Sequence, residues 1–445
     1  MKLNPLAFIV TVTGLYLLVR LRFFFIIHPF RTAKNMLRGL CRGDTLRSLF
    51  LALSGTLGVG NVIGVALGII IGGAGSVFWM LLSTVFATVI KYAEVSLCTD
   101  GICRKSDGTH GGMHYALVRF FGRRGGILAI VYSTAMILLS LFMGASLQSA
   151  ALVGSIGEIF NTPPTVIGIL LAFLVLFAVV FGTKIIERIT AAVIPLTTIV
   201  YIALCLAIIM TCRDRIVLAV GDILRGAFLS RGVFGGALGF LSSRALSEGF
   251  SRGLLSNEAG AGTSSVAHAR GGSLHPSMCG LMGMVEVLFD TTVLCTLTAL
   301  AILTAVPEYA DFESGVALVI AATRPLGSTA AIILAACIAA FAFSTVVCWY
   351  FYSSEAQLAL FGRIHPFFLP IYLSFVILGV YIPERPMLFV TDTLLLVMTA
   401  ITSMLLIKKS DRICTLSEGF GLYGSPCKIF GSVSFKKVKR KRRIK

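Results

Sequence analysis

The sequence predicts an all-α integral membrane protein with about eleven transmembrane helices. Its 445 residues are 57% hydrophobic and only 13% charged, and the mean hydropathy is +0.93. Soluble domains carry about 25% charged residues, so a chain of this composition is expected to lie in a membrane. Long apolar runs alternate with short polar loops, which leaves no room for a sizeable soluble domain.

We expect eleven spans because each apolar run approaches the ~20 residues that cross a bilayer. The runs lie at residues 6–27, 46–72, 76–98, 127–152, 164–182, 189–211, 233–266, 277–305, 327–361, 367–382 and 387–407. Lysines and arginines concentrate in the loops after the first and third spans and at the C-terminus. The positive-inside rule places those segments in the cytoplasm. We therefore expect a bacterial cell-membrane protein with its N-terminus outside and its C-terminus in the cytoplasm.

The formal net charge is +18, and much of it lies in the tail at residues 436–445, KKVKRKRRIK. A basic run of this kind can bind nucleic acid, but beside so many spans it is better explained as a cytoplasmic topology anchor in contact with the lipid bilayer. We expect no nucleic-acid partner and no obligate protein partner. The eleven cysteines show no spacing typical of a metal site.

Glycines interrupt the second span in the stretch SGTLGVGNVIGV, at residues 54–65. Each glycine in a helix interior costs about 1 kcal/mol relative to alanine, and broken backbone is tolerated in lipid only where it faces a cavity or packed protein. The stretch predicts an unwound helix whose N–H groups can hold an anion and whose carbonyl groups can hold a cation. The alternative is that the glycines only let neighbouring helices pack closely.

A second glycine-rich stretch, LSNEAGAGTSS at residues 255–265, interrupts the seventh span. After the first span, five spans begin in the cytoplasm and five begin outside, and each set starts with an interrupted helix. This pattern predicts a 5+5 inverted repeat, and paired interruptions at matching positions indicate a transport site. The predicted units are an extra helix with its loop at 1–45, repeats at 46–211 and 212–407, and a basic cytoplasmic tail at 408–445.

The motif SNEAG at residues 256–260, followed by AHA at 267–269, resembles the signature of the alanine or glycine:cation symporter family, the amino acid carrier proteins. Further matching stretches are GG at 72–73 with FWM at 78–80, KYAE at 91–94, DTT at 290–292 and FAFST at 341–345. The resemblance implies a leucine-transporter-type fold of the amino acid–polyamine–cation superfamily, with Na+-coupled uptake of a small neutral amino acid. This chain departs from the family pattern at Val59, His114, Ala145 and Thr402.

The predicted substrate site lies around the two interrupted helices. The N–H groups of Val59 and Gly60 can receive a substrate carboxylate, as the dipole of a half-helix favours. Gln148 lies in an apolar run, so its amide needs a partner, which is either the substrate or another helix. Trp349 lies mid-span, where it can wall a pocket against a small side chain. The predicted substrate-binding residues are Val59, Gly60, Asn61, Gln148, Asn257 and Trp349.

A Na+ site is predicted beside the substrate, from the carbonyl groups of Ser54 and Leu57 and the hydroxyl groups of Ser344 and Thr345. A hard cation prefers oxygen ligands, and the resemblance supports the assignment because the matching family stretch is a cation site in this fold. The alternative is that the hydroxyl groups bond the backbone of their own helix.

Several ionisable residues lie in the apolar runs and have two interpretations each. Lys91 and Glu94 can pair along one helix, or Lys91 extends its amine to the membrane surface from a span end. Glu286 and Asp290 either carry a proton or belong to a hydrogen-bonded network. Glu258 either serves the transport site or caps the broken helix.

These observations predict a secondary transporter that moves alanine or glycine inward with Na+ by alternating access. A proton-coupled transporter of the same fold is the alternative. An intramembrane enzyme is not expected because the sequence has no His-Glu-x-x-His motif, and His268 and His275 are assigned to a loop with a structural role. A channel is not expected because one chain carries two inverted halves in place of symmetric copies around a filter.

Overall fold

The computed structural model describes residues 5–105, 108–160, 162–228, 244–271, 275–382 and 384–422. Within these residues the chain is helical apart from one hairpin, in which strand β1 (Cys103–Lys105) pairs antiparallel with strand β2 (Gly108–His110). This confirms the expected all-α class. The basic run at 436–445 and the first part of the seventh predicted span, 233–243, lie outside the described residues.

The α-helices of the described residues are α1 (Pro5–Arg20), α2 (Phe24–Ile27), α3 (Pro29–Leu40), α4 (Gly43–Thr56), α5 (Ile63–Gly72), α6 (Gly75–Thr99), α7 (Met113–Phe121), α8 (Arg123–Leu139), α9 (Leu147–Gly157), α10 (Pro164–Val180), α11 (Thr183–Thr211), α12 (Ile216–Phe228), α13 (Arg244–Asn257), α14 (Ser265–Ala269), α15 (Pro276–Val287), α16 (Thr296–Ala305), α17 (Gly315–Ala321), α18 (Ser328–Phe361), α19 (Phe368–Leu378), α20 (Glu384–Lys408) and α21 (Ser410–Gly419). Two π-helical stretches, Ser140–Ser146 and Leu288–Cys295, connect α8 to α9 and α15 to α16.

Six continuous helical segments in the described parts of the chain are long and apolar enough to cross a membrane: Gly75–Thr99, Arg123–Gly157, Ile185–Thr211, Pro276–Ala305, Ser328–Phe361 and Pro386–Lys408. The pair α4 and α5 passes the same test as one bent span. The other predicted spans coincide with the shorter apolar helices α1, α10 and α19 and with the interrupted pair α13 and α14. Every predicted span therefore has a helical counterpart.

Both predicted interruptions are present. Helix α4 ends at Thr56 and α5 begins at Ile63, and the helical segments Gly43–Thr56 and Val59–Gly72 are bent by 64° relative to each other; residues 57–62 are called the first break. Helix α13 ends at Asn257 and α14 begins at Ser265, so residues 258–264 are called the second break. Glu258, Gly260 and Gly262 have φ values of 52°, 89° and 78°, in the left-handed region that glycine adopts readily.

The first span differs from its prediction, because α1 ends at Arg20 and not at residue 27. Arg22 and Phe23 then adopt left-handed backbone with φ values of 55° and 49°, which separates α1 from the short helix α2. The Arg20 guanidinium forms an ion pair with Asp411 of α21. A charged arginine is unfavourable in the middle of an apolar span and favours an exposed position, so helix α1 ends at Arg20.

Helix α6 is central to the packing, and glycines of its neighbours allow close approach. A Cβ atom added to Gly249 of α13 would lie 2.4 Å from the Ser76 carbonyl oxygen, and one added to Gly280 of α15 would lie 2.0 Å from the Ser96 hydroxyl.

Residues 249–253 read GFSRG, the G-x-S-x-G pattern of hydrolase nucleophiles, which requires a turn between a strand and a helix. Here the pattern lies within α13, so its glycines serve helix packing.

Candidate functional site

The first break brings Gln148 to the backbone of Val59, as the predicted site requires. The Val59 N–H group donates to the Gln148 side-chain oxygen at 3.1 Å, and the Gln148 amide nitrogen donates to the Met143 carbonyl group at 3.3 Å. The side chain of Gln148 is 2% exposed. Its amide therefore satisfies one unwound N–H group of the break and ties α9 to it.

A corner rich in oxygen atoms lies where α4 meets α18. The Thr345 hydroxyl group donates to the Ser54 carbonyl oxygen at 3.0 Å and lies 3.4 Å from the Leu57 carbonyl oxygen. Three of the four predicted Na+ ligands are thus adjacent. Ser344 differs, because its hydroxyl group donates to Ala340 and Phe341 of its own helix at 2.8 and 3.0 Å, which is the alternative considered for these hydroxyl groups.

Trp349 contacts the end of α4 that leads into the first break. Its indole N–H group donates to the Gly55 carbonyl oxygen at 3.3 Å, and the side chain is fully buried. The ring lies against Gly144, where an added Cβ atom would come within 2.4 Å of the Trp349 Cβ atom. The side chain therefore lies inside the protein against the break, consistent with a wall and not with an anchor at the membrane surface.

The glycines of the first break and of the start of α5 differ in how closely they are packed, so both interpretations considered from the sequence apply. A Cβ atom on Gly58 would lie 2.9 Å from the side-chain oxygen atoms of Gln148 and Thr345. A Cβ atom on Gly60 or Gly64 would meet nothing nearer than 3.5 or 3.8 Å. Close packing therefore explains why position 58 is a glycine. It does not explain Gly60, which lies in the break, or Gly64, which lies at the start of α5.

Hydrogen bonds from other helices hold the second break. The Glu94 carboxylate of α6 accepts from the N–H groups of Gly260 and Gly262 at 2.8 and 3.2 Å. The Tyr132 hydroxyl of α8 donates to the Ala261 carbonyl group at 2.8 Å. Asn257 donates to the Thr291 hydroxyl at 3.0 Å and accepts from the Ala259 N–H group at 3.0 Å. The side chain of Asn257 thus holds the turn that follows α13 and ties it to Thr291.

Asp290 joins the two breaks. Its carboxylate accepts from the Asn61 amide at 2.6 Å, from the Ser256 hydroxyl, and from the Thr291 hydroxyl at 3.1 Å. Ser256 also lies 3.2 Å from the Asn61 side-chain oxygen. The hydrogen-bonded interpretation of Asp290 is therefore confirmed. A carboxylate in an apolar run indicated that Asp290 has a special role. The sequence did not indicate that Asp290 lies between the two breaks.

The structure decides between the two interpretations of Lys91 and shows that the loop assignment of His268 is wrong. Lys91 and Glu94 do pair, with 3.5 Å between the ammonium nitrogen and a carboxylate oxygen, but Lys91 is completely buried and does not extend to a membrane surface. His268 lies in the short helix α14, buried, with its Nε2 atom 2.9 Å from Glu286. Both residues are held by acidic partners on other elements, since Lys91 also lies 3.3 Å from Glu286.

His275 has the structural role expected of it. Its Nδ1 atom accepts from the Ser277 N–H group at 3.2 Å, at the start of α15. Partial burial lowers the pKa of His275, which favours the neutral ring that this cap requires.

The space beside the first break is small. A cavity of about 10 Å³ is lined by Val59, Gly60, Leu147, Leu255 and other apolar side chains. A cavity of this size holds about one water molecule. The lining helices must therefore separate before an organic molecule can bind here.

The model of the sodium:alanine symporter family matches residues 1–416. The chain belongs to this family. It is 30% identical to the uncharacterized transporter YflA of Bacillus subtilis, over 84% of this chain and 82% of that protein. It is 29% identical to the sodium/alanine symporter AgcS of Methanococcus maripaludis, over 79% of each chain. The outward-open structure of a Na+-coupled sialic acid symporter aligns with a TM-score of 0.48 and 13% identity, covering 92% of this chain and 85% of that one.

Membership in the sodium:alanine symporter family confirms the expected class, a multi-pass membrane protein that transports amino acids with Na+ and is not an enzyme. The repeat boundaries, the orientation of the termini and the residues that bind substrate and Na+ stay predictions.

Proposed function

We propose that this chain carries alanine or glycine inward together with Na+, through a site between the two breaks. The observation that supports this most directly is the meeting of the breaks. Asn61 of the first and Ser256 beside the second share Asp290, and the oxygen-rich corner of Ser54, Leu57 and Thr345 lies at the other end of the first break. Two unwound helices that meet inside a membrane protein are typical of a transport site.

The substrate carboxylate binds at Val59 and Gly60. In this structure the Gln148 side-chain oxygen accepts a hydrogen bond from the Val59 N–H group at 3.1 Å. A carboxylate oxygen is a stronger acceptor than an amide oxygen, so an entering amino acid takes the place of Gln148 there. The released amide is then free to bind the substrate. A backbone N–H contact needs no hydroxyl group, so Val59 is compatible with this role.

The apolar wall selects a small side chain. Trp349 is fully buried and packed against Gly144, and the cavity beside Val59 is lined mainly by leucine, isoleucine and glycine. A methyl group or hydrogen atom needs the least displacement of this lining. A longer side chain needs further repacking, at a cost of typically 1–3 kcal/mol.

Na+ binds at the corner of Ser54, Leu57 and Thr345. Neutral oxygen atoms suit a hard cation, and carbonyl groups freed by the unwound helix supply two of them. Because Leu57 of the corner and the substrate N–H groups of Val59 and Gly60 lie in the same six-residue break, ordering of the break by one ligand favours binding of the other. The membrane potential contributes about 2.3 kcal/mol per charge per 100 mV.

Uptake of labelled alanine into proteoliposomes tests the proposal. An inward Na+ gradient is compared with an equal K+ gradient and with an inward pH gradient, in the presence of competing amino acids. Faster uptake with Na+, competed by glycine and alanine but not by leucine or phenylalanine, supports it. Uptake that ignores Na+ but follows the pH gradient favours the proton-coupled alternative, and uptake that ignores both gradients rules out coupled transport.

A further inference from the structure

Behind the second break lies a buried group of charges that the Na+ and substrate sites do not use. It comprises Lys91 and Glu94 of α6, Glu258 of the break, His268 of α14 and Glu286 of α15, all at most 1% exposed. Three carboxyl groups face one ammonium group. Since an isolated buried charge is costly in a membrane interior, the excess of negative charge requires a compensating cation.

The histidine of the group contacts a different carboxylate. The Nε2 atom of His268 lies 2.9 Å from the Glu286 carboxylate, while its Nδ1 atom is buried without a hydrogen-bond partner in the described chain. Among the described residues the ring forms no ion pair or hydrogen bond with Glu258.

A metal ion does not fit the group either. The part of the chain that the structure describes brings together no set of three histidine, cysteine or acidic side chains that could hold a metal. A proton needs only one carboxyl group, and it removes one negative charge.

Glu258 is the carboxyl group suited to bind the proton. Glu94 accepts two backbone N–H groups and pairs with Lys91, and Glu286 contacts both Lys91 and His268. Glu258 makes no ion pair within the described residues. One oxygen lies 2.5 Å from the Thr263 hydroxyl, and the other is buried without a hydrogen-bond partner there. A hydroxyl group can donate or accept, so this contact accommodates both forms of the carboxyl group.

The Na+ corner and the charged group are joined by direct helix packing. Helix α14, which follows the second break and carries His268, packs against α4, which carries Ser54 of the corner. A cation bound at the corner therefore stabilises the ionised form of Glu258 and favours release of its proton. The other ionisable groups that face this region are Lys91, Glu94, Glu286, Asp290, His268, Tyr132, Tyr352 and Cys348.

We propose that Glu258 is a proton-binding site, and that Na+ binding with alanine displaces its proton, which returns in the opposite direction on the empty carrier. The position supports such coupling, because Glu258 and Thr263 span the second break and a change in their contact alters the segment next to Asn257. The inference rests on the proposed function as a Na+-coupled alanine carrier and adds an exchanged proton to its cycle.

The test measures protons and alanine in the same proteoliposomes. The full chain is reconstituted with pyranine inside, at equal pH on both sides and with the potential clamped by K+ and valinomycin. With an inward Na+ gradient, addition of alanine should raise the luminal pH in step with labelled alanine uptake. Glu258→Gln should lower the number of protons per alanine at least about tenfold. Glu308→Gln, which changes an exposed acid, should leave the ratio as in the wild type.

The outcomes separate the two proposals. Sodium-dependent alanine uptake without a rise in luminal pH, or with a fall, overturns the proton site and leaves the proposed function standing. A rise that persists in Glu258→Gln assigns the proton to another group and also overturns it. If Glu258→Gln does not assemble, Glu258→Asp, which retains an acid, should still show the rise. Absence of sodium-dependent uptake in the wild type contradicts the proposed function itself.

Discussion

The two breaks use different chemistry for the same departure from helical geometry. Neutral side chains satisfy much of the first, through Gln148 and Thr345, although Asn61 also donates to the Asp290 carboxylate. Charged side chains buried in neighbouring helices hold the second, with Glu94 binding two of its N–H groups and Lys91 balancing part of the charge. A break lined mainly by neutral groups can accept a zwitterion and a cation without a prior counter-charge. A charged break depends on its protonation and on its partners.

Removal of charge at the second break is expected to have the largest effect on stability and on alanine uptake. In Lys91→Met, Glu94 and Glu286 lose their shared cation in a fully buried place. Loss of one partner from a buried ion pair costs about 3–5 kcal/mol. We expect a large fall in the melting temperature of the detergent-solubilised protein and loss of alanine uptake. The control Lys34→Met, at an exposed position, should change neither quantity, and a stable Lys91→Met protein would show that the charge is not needed for assembly.

The second largest effect is expected where a new side chain fills space at the first break, because transport needs that space. In Gly58→Ala, the new Cβ atom meets Gln148 and Thr345 at 2.9 Å, whereas in Gly64→Ala it meets Leu255 at 3.8 Å. Overpacking costs typically 1–3 kcal/mol, so we expect a loss of uptake rate of at least about tenfold in Gly58→Ala. Gly64→Ala should stay near the wild-type rate. Equal behaviour of the two variants in the uptake assay would show that the close packing around Gly58 does not matter for transport.

A third pair of variants separates two neighbouring hydroxyl groups of α18. Thr345→Val removes the hydroxyl group beside the Ser54 and Leu57 carbonyl oxygens, while Ser344→Ala removes one that bonds its own helix. We expect the Na+ concentration for half-maximal uptake to rise about tenfold in Thr345→Val, equivalent to about 1.4 kcal/mol. Ser344→Ala should change it by less than about twofold. The reverse order in a Na+ titration would move the cation site away from the corner.

The smallest expected effect concerns the two glutamines, each 2% exposed. Gln148→Ala removes a side chain at the first break, while Gln357→Ala removes one that accepts from the His365 N–H group elsewhere. A hydrogen bond contributes about 1 kcal/mol, so alanine affinity should fall about fivefold in Gln148→Ala and stay unchanged in Gln357→Ala. Equilibrium binding of labelled alanine measures both. An unaltered affinity in Gln148→Ala would count against its place in the substrate site.

The membrane class, the long apolar helices and the location of both breaks could be predicted from the sequence alone. These follow from local properties, since apolar length, loop charge and glycine content act over stretches of about 20 residues. The same local signals missed the amphipathic helices α3 and α21 and the short helix α17, which lie in segments expected to be loops. Such helices are too short or too polar for a hydropathy window of spanning length, and packing against neighbours stabilises them.

Tertiary structure decided which polar groups meet. Asn61 and Asp290 are 229 residues apart, and Lys91 and Glu286 are 195 residues apart, so no local pattern could pair them. It also chose between Ser344 and Thr345, since adjacent residues on a helix point about 100° apart and only one of them faces α4. A buried polar group must find a partner. Helix packing determines which partner lies within hydrogen-bonding distance, and therefore why mainly neutral groups hold the first break and charged groups hold the second.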